Sequence, residues 1–231
     1  MRLGILQTGH VPEDLAADHG AYPKMFENFL SGNGFTFDTY SVVDSVFPEG
    51  PFSAEGWLIT GSRHGAYEDH SWIPPLETLI REIYAAEVPL VGICFGHQIM
   101  AQALGGKVEK FGGLWGVGNK QYTHTDGSTS TLLAMHQDQV VVKPPEAIVT
   151  ATAQYCENAA FTYKGRAMSI QPHPEFTPEF MAELIKQRSG SVIPEDQASP
   201  GLASLTDTND APKFAREIAE FFKKAIAERA A

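Results

Sequence analysis

Two short segments hold the residues best suited to chemistry. The first is Gly92-Ile93-Cys94-Phe95-Gly96-His97-Gln98, where the apolar run Pro89 to Ile93 meets a helical pattern that ends at Gly105-Gly106. A sharp strand-to-helix turn crowds the backbone, and glycines on both sides of a central residue relieve that crowding. The arrangement matches a nucleophile elbow, with sulfur in place of the usual hydroxyl. Cys94 would then stand at a helix N-terminus, where the aligned peptide dipoles favour a thiolate. The second segment is Gln171-Pro172-His173-Pro174-Glu175-Phe176. Residues before proline are pushed toward extended geometry, so His173 and Glu175 project to the same face and the carboxylate can orient the imidazole. A thiol, a base and an orienting acid are the parts of a covalent acyl-transfer site.

These residues need a scaffold, and the chain reads as α/β. Apolar runs at Leu3 to Leu6, Phe35 to Val43, Trp57 to Thr60 and Pro89 to Ile93 alternate with amphipathic segments, the pattern of a sheet flanked by helices. Helices are expected from Tyr22-Pro23 onward (Met25, Phe26, Phe29, Leu30), after Pro74-Pro75 (Leu76, Leu79, Ile80, Ile83, Tyr84) and after the start signal Thr177-Pro178. From Lys107 to Ile170, β-prone stretches separated by turns such as Thr125-Asp126-Gly127-Ser128 predict antiparallel strands. Ser189 to Pro212, rich in Ser, Pro, Gly and Asp, is long for a loop and is either mobile or hides a short helix. A terminal helix follows from about Pro212, with Phe214, Ile218, Phe221, Phe222, Ala225 and Ile226 as its apolar stripe. No linker breaks the pattern, so a single domain over residues 1–231 is expected.

The two motifs, in this order, resemble the class I glutamine amidotransferase family. Gly92 to Gln98 and His173 to Glu175 match its pattern residue by residue. Gly105-Gly106-Lys107-Val108 and the His136-x-Asp138-x-Val140 segment look like further family features. The resemblance implies a mostly parallel central sheet flanked by helices, flavodoxin-like, with additional antiparallel strands. It also implies Cys94 as nucleophile, His173 as base and acid, and Glu175 as orienter. The oxyanion would take the backbone N–H of Phe95 and one from Gly61 or Ser62, although Thr60-Gly61-Ser62-Arg63 departs from the Gly-Gly-Pro common in that loop. Gln98, Trp115 and His136 are the substrate-binding candidates. For Trp115 an ordinary glycine-rich connection, Gly112 to Gly118, reads equally well, and Arg63, Tyr67, Glu68 and Asp69 read either as a pocket wall or as a solvated face. His97 reads as helix packing or as a polar group behind the site, and Cys156 as core.

Three activities fit. The first is a stand-alone enzyme opening the side-chain amide of glutamine or another γ-glutamyl amide through a thioester, like the GMP synthase-like and γ-glutamyl peptidase members. The second is a glutaminase subunit serving a separate synthetase chain, and the third a non-catalytic binding protein. The variant oxyanion loop and the 189–212 segment favour the first. The eight histidines show neither His-Glu-x-x-His nor a Cys/His cluster, so no metal and no cofactor are expected. With 17 basic against 28 acidic residues, a net charge of -11, nucleic-acid binding is not expected. Two cysteines suit a reducing, cytoplasmic setting. The apolar run at Met1 to Gln7 is too short for a signal peptide, and nothing reaches the ~18 apolar residues of a membrane span.

Overall fold

The central strands are apolar on both faces because both faces are covered. In the computed structural model, which describes residues 1–112, 114–206 and 209–230, side chains from these strands divide between two cores. Trp57, Ile59 and Leu90 join one and Leu3, Leu58, Val91 and Ile93 the other, all fully or almost fully buried. Burying each such side chain contributes roughly 1.5–3 kcal/mol.

The strands are β1 (Arg2–Leu6), β2 (Thr36–Tyr40), β3 (Gly56–Ile59), β4 (Leu90–Ile93), β5 (Lys107–Lys110), β6 (Gly116–His124), β7 (Thr129–His136), β8 (Asp138–Val142), β9 (Ala147–Ala153), β10 (Cys156–Tyr163) and β11 (Ala167–Ile170). The helices are α1 (Glu13–His19), α2 (Tyr22–Phe29), α3 (Ile73–Ala85), α4 (Phe95–Ala103), α5 (Pro178–Arg188), α6 (Glu195–Ala203) and α7 (Ala211–Ala230). One sheet runs in the order β2-β1-β3-β4-β11-β10-β9-β6-β7, and β5 pairs with β8 separately. Its first five strands are parallel and the remaining pairings antiparallel. The antiparallel strands thus extend the parallel sheet. In open parallel sheets ligands bind beyond the carboxyl ends of the strands, and the loops after β1, β3, β4 and β11 carry Thr8, Gly61, Cys94 and His173.

Helices α3 and α4 cover one face, and α2 with α7 the other. Thr177 caps α5 as expected, its hydroxyl accepting from Phe180 N–H at 3.2 Å. Helix α1 falls between the first apolar run and the helix at Tyr22, a stretch for which no helix is expected. Leu15 is its one buried residue, so it has no stripe for periodicity to detect. Helix α6 is the short helix within Ser189–Pro212, of which Asp207 and Thr208 lie outside the described residues, as Gly113 does for the Gly112–Gly118 stretch. Pro200 lies inside α6, which is held onto β6 by side chains: Trp115 N–H donates to Gln197 Oε1 at 2.8 Å and Asn119 N–H to Ser204 Oγ at 2.9 Å. No described helix is long and apolar enough to cross a membrane.

The elbow shows why glycines flank the cysteine. A Cβ on Gly92 would lie 2.5 Å from the Gly96 carbonyl oxygen, and one on Gly96 would run into the Ile59 carbonyl oxygen. Gly96→Ala should therefore destabilise by about 1–3 kcal/mol through overpacking against backbone that cannot yield. A urea midpoint within error of the parent's would show that the β3–α4 approach is not tight.

Candidate functional site

Cys94 links β4 to α4 in a conformation that side chains seldom adopt, with φ 53° and ψ -103°. Its N–H donates to Ile170 O at 2.9 Å, tying the elbow to β11. The next residue, Phe95, is the first of α4, so its N–H has no acceptor within the helix.

His173 follows β11 and is pinned by its own N–H donating to Leu133 O at 2.8 Å. Its Nδ1 donates to Glu175 Oε1 at 2.7 Å, and both side chains are almost wholly buried. The ring and the Cys94 side chain flank Gly61 together: a Cβ there would lie 2.8 Å from His173 Cε1 and 3.8 Å from Cys94 Cβ. With Nδ1 engaged by the carboxylate, Nε2 is the nitrogen left for sulfur. Burial alone would push the imidazole's pKa down, but Cys94 and Glu175 together reverse this and hold it well above 6.5. The ring stacks on Phe176 at 4.0 Å and 5°. Phe176 in turn stacks on Tyr22, whose buried phenol is pushed up to about 12, chiefly by desolvation. Neither Phe176 nor Tyr22 stood out in the sequence, since an aromatic that clamps a histidine looks like any core aromatic.

The loop after β3 is anchored from below. Gly61 O lies within hydrogen-bonding distance of the Thr8 and Thr60 hydroxyls, at 3.1 and 3.0 Å. Because the peptide unit is planar and trans, fixing this carbonyl also fixes the Ser62 N–H, which points the opposite way. Gly61 itself lies against the imidazole: a Cβ there would be 2.8 Å from His173 Cε1. This part of the site needs no Gly-Gly-Pro to be rigid.

Ser62, Cys94, Gln98, Trp115 and His136 line one cavity of about 170 Å³. Gln98 is buried, and its NH₂ donates to Asp138 O at 2.9 Å and Gln171 Oε1 at 3.2 Å, which leaves its own Oε1 as the group free to meet a ligand. His136 donates from Nδ1 to Asp138 O at 3.1 Å, so Nε2 is a bare acceptor, buried and without a partner. Burial lowers the pKa of this imidazole to about 3, so it stays neutral. His97 bonds Ser169 Oγ and Asn158 O and stacks on Phe161, and burial lowers its pKa to about 4, so it is also neutral. Cys156 is core, its thiol pushed up to about 12 by burial.

A second cavity of about 900 Å³ adjoins the first, sharing Arg63, His64, Trp115, Arg188 and Val192 with it. Neither Arg63 nor Arg188 makes an ion pair among the described residues. The loop that carries Arg63 also brings His64, Glu68 and His70 together, with potential ligand atoms all within 4.8 Å of one another. The expectation of no metal site weighed only familiar ligand spacings, and His-x₃-Glu-x-His across a loop is not one of them.

Comparison with known proteins agrees with this geometry. Residues 61–188, from the anchored loop to Arg188, match the family model described as glutamine amidotransferase class-I. Gamma-glutamyl peptidase 4 of Arabidopsis thaliana is 29% identical over 89% of this chain and 88% of its own length. The glutamine-hydrolyzing GMP synthase subunit of Methanopyrus kandleri is 34% identical over 46% of this chain and 63% of its own. The crystal structure of a glutamine amidotransferase from Methylobacillus flagellatus has the same fold, with a TM-score of 0.76, 20% identity and coverage of 99% of this chain and 94% of that one. The match spans Gly61, Cys94, His173 and Glu175 alike, and by it the chain belongs to the class I glutamine amidotransferase family.

Proposed function

We propose that this protein is a cysteine-dependent hydrolase of γ-glutamyl amides, with Cys94, His173 and Glu175 as its triad. The observation that carries the reading is that the elbow cysteine and the His173–Glu175 pair converge on Gly61, beside one small cavity. The Cys94 thiolate attacks the γ-carbonyl carbon, and the oxyanion that forms is held by Phe95 N–H and Ser62 N–H. Collapse breaks the C–N bond while His173 protonates the departing nitrogen. The neutral imidazole then takes a proton from water, hydroxide adds to the γ-glutamyl thioester, and the C–S bond breaks to release glutamate and restore the thiolate–imidazolium pair. Glu175 holds Nδ1–H throughout, so Nε2 always faces the chemistry.

Size and charge favour a conjugate over free glutamine. The Cys94 cavity, about 170 Å³, has room for about six waters at ~30 Å³ each, the scale of one glutamyl unit. The larger adjoining cavity gives a leaving group space, and the Arg63 and Arg188 guanidiniums suit a carboxylate on it. Similarity to a γ-glutamyl peptidase supports the same choice. The test is a steady-state panel of L-glutamine, γ-glutamyl dipeptides and γ-glutamyl amides without a carboxylate. Carboxylate-bearing dipeptides should be cleaved with kcat/KM at least about 10-fold above glutamine. Arg188→Gln should raise KM for those dipeptides about 10-fold with kcat unchanged, the signature of lost uniform binding. Absence of turnover across the panel would defeat the reading.

The similarity to a GMP synthase subunit favours a second reading, glutamine hydrolysis for a separate synthetase chain. Glutamine turnover that rises sharply on adding such a synthetase, with dipeptides left uncleaved, would select it.

A further inference from the structure

The loop between β3 and α3 holds three metal-ligating side chains that the proposed chemistry leaves unused. Glu68 Oε2 lies 2.8 Å from His70 Nε2 and 3.5 Å from His64 Nδ1. Around an ion bonded at about 2.1 Å, tetrahedral donors stand about 3.4 Å apart. Both separations therefore bracket what an ion requires, and the histidine pair, no more than 4.8 Å apart, has little distance to close.

The donors are held in place from behind. The His70 ring stacks on Trp72 at 5.9 Å and 14°, and His64 meets both rings edge-on, at 4.3 Å to His70 and 5.9 Å to Trp72. Trp72 is buried and packs on Phe95, the residue after Cys94. Successive turns set the loop's backbone: Glu68 N–H donates to Gly65 O, His70 N–H to Glu68 O and Ile73 N–H to His70 O, at 3.0–3.1 Å. As a surface ion pair alone, this arrangement would contribute little. Its value lies in three convergent donors on a rigid turn.

We propose that His64, Glu68 and His70 form a binding site for one divalent transition-metal ion at the rim of the Cys94 cavity. Two imidazoles and one carboxylate suit zinc, cobalt, nickel or copper and not calcium or magnesium, which favour all-oxygen sets. Three protein ligands leave a tetrahedral ion one position for water or an incoming anion. His64 and Glu68 line the same cavity as Cys94, so the ion would adjoin the entrance to the thiol without depending on hydrolysis.

The test uses the full chain carrying Cys94→Ser, so that no reactive thiol competes, stripped with a chelator and titrated with zinc chloride by calorimetry. Cobalt chloride with visible absorption gives a second readout of coordination. One ion should bind per chain, and cobalt should show the intense bands of a site with fewer than six ligands. His70→Ala, His64→Ala and Glu68→Gln should each weaken binding at least about 10-fold. Glu68 is exposed, so its isosteric replacement keeps the test valid should a histidine variant unfold. Magnesium should give no heat. No zinc binding, or one-to-one binding unchanged by Glu68→Gln and by the histidine variants that fold, would overturn the site.

Discussion

Cys94→Ala should abolish hydrolysis of every γ-glutamyl compound, a loss of about 10⁴-fold or more, while the protein stays folded. The magnitude follows from the role. Without the sulfur no covalent intermediate forms, and what survives is the modest acceleration from binding and oxyanion donors alone. The fold survives because the substitution removes one buried sulfur and leaves Gly92 and Gly96, on which the elbow depends, in place. A γ-glutamyl chloromethyl ketone should alkylate Cys94 and spare Cys156, whose thiol burial keeps protonated. Peptide mapping by mass spectrometry reads the adduct. Full activity in the variant, or an adduct on Cys156 alone, would remove the nucleophile assignment.

Glu175→Gln should lower kcat about 10²–10⁴-fold, by analogy with other triads that lose their orienting carboxylate. The amide keeps the shape but can present its NH₂ to Nδ1, favouring the tautomer in which Nε2, facing Cys94, already carries the proton and cannot accept one. The pH profile carries a second signature. Burial disfavours the imidazolium, and the charges of Cys94 and Glu175 more than offset it, so the group keeps its proton well above 6.5. A raised pKa means that the acid needed to protonate the leaving nitrogen is present at neutral pH and lost only as pH rises through the raised value. Removing the Glu175 charge should move that alkaline limb of kcat/KM to lower pH. An unchanged limb together with an unchanged kcat would show that Glu175 does not act on His173.

The sequence is most legible where chemistry constrains neighbours along it. Gly92-x-Cys94-x-Gly96 announces an elbow because two close backbone approaches are needed within five residues, and both are present. His173-Pro-Glu175 announces a pair because prolines hold the segment extended, and the pair meets at 2.7 Å. What escaped depends on distant partners. Thr8 supports Gly61 from more than fifty residues away, and nothing in Gln7-Thr8-Gly9 hints at it. Tyr22 and Phe176 form a stack joining the start of α2 to the loop before α5. Helix α1 and helix α6 bury too few side chains to leave a periodic trace. The choice between Gly61 and Ser62 as oxyanion donor could not be made from residue types, because it turns on which way one peptide plane faces.

The place of β11 in the sheet has a consequence for when this protein becomes reactive. It is the last strand to leave the ribosome, yet it is inserted between β4 and β10. Through Ile170 O it braces the elbow, and the segment just beyond it delivers His173 and Glu175. Until β11 docks, the nascent chain has the Cys94 thiol without His173, the base that the proposed mechanism assigns to it. The edge of β4 is open, and the antiparallel strands have nothing to hang from. Under the proposed mechanism, chemical competence and completion of the sheet are therefore the same event. A half-made copy is then expected to be not a slow enzyme but a silent one.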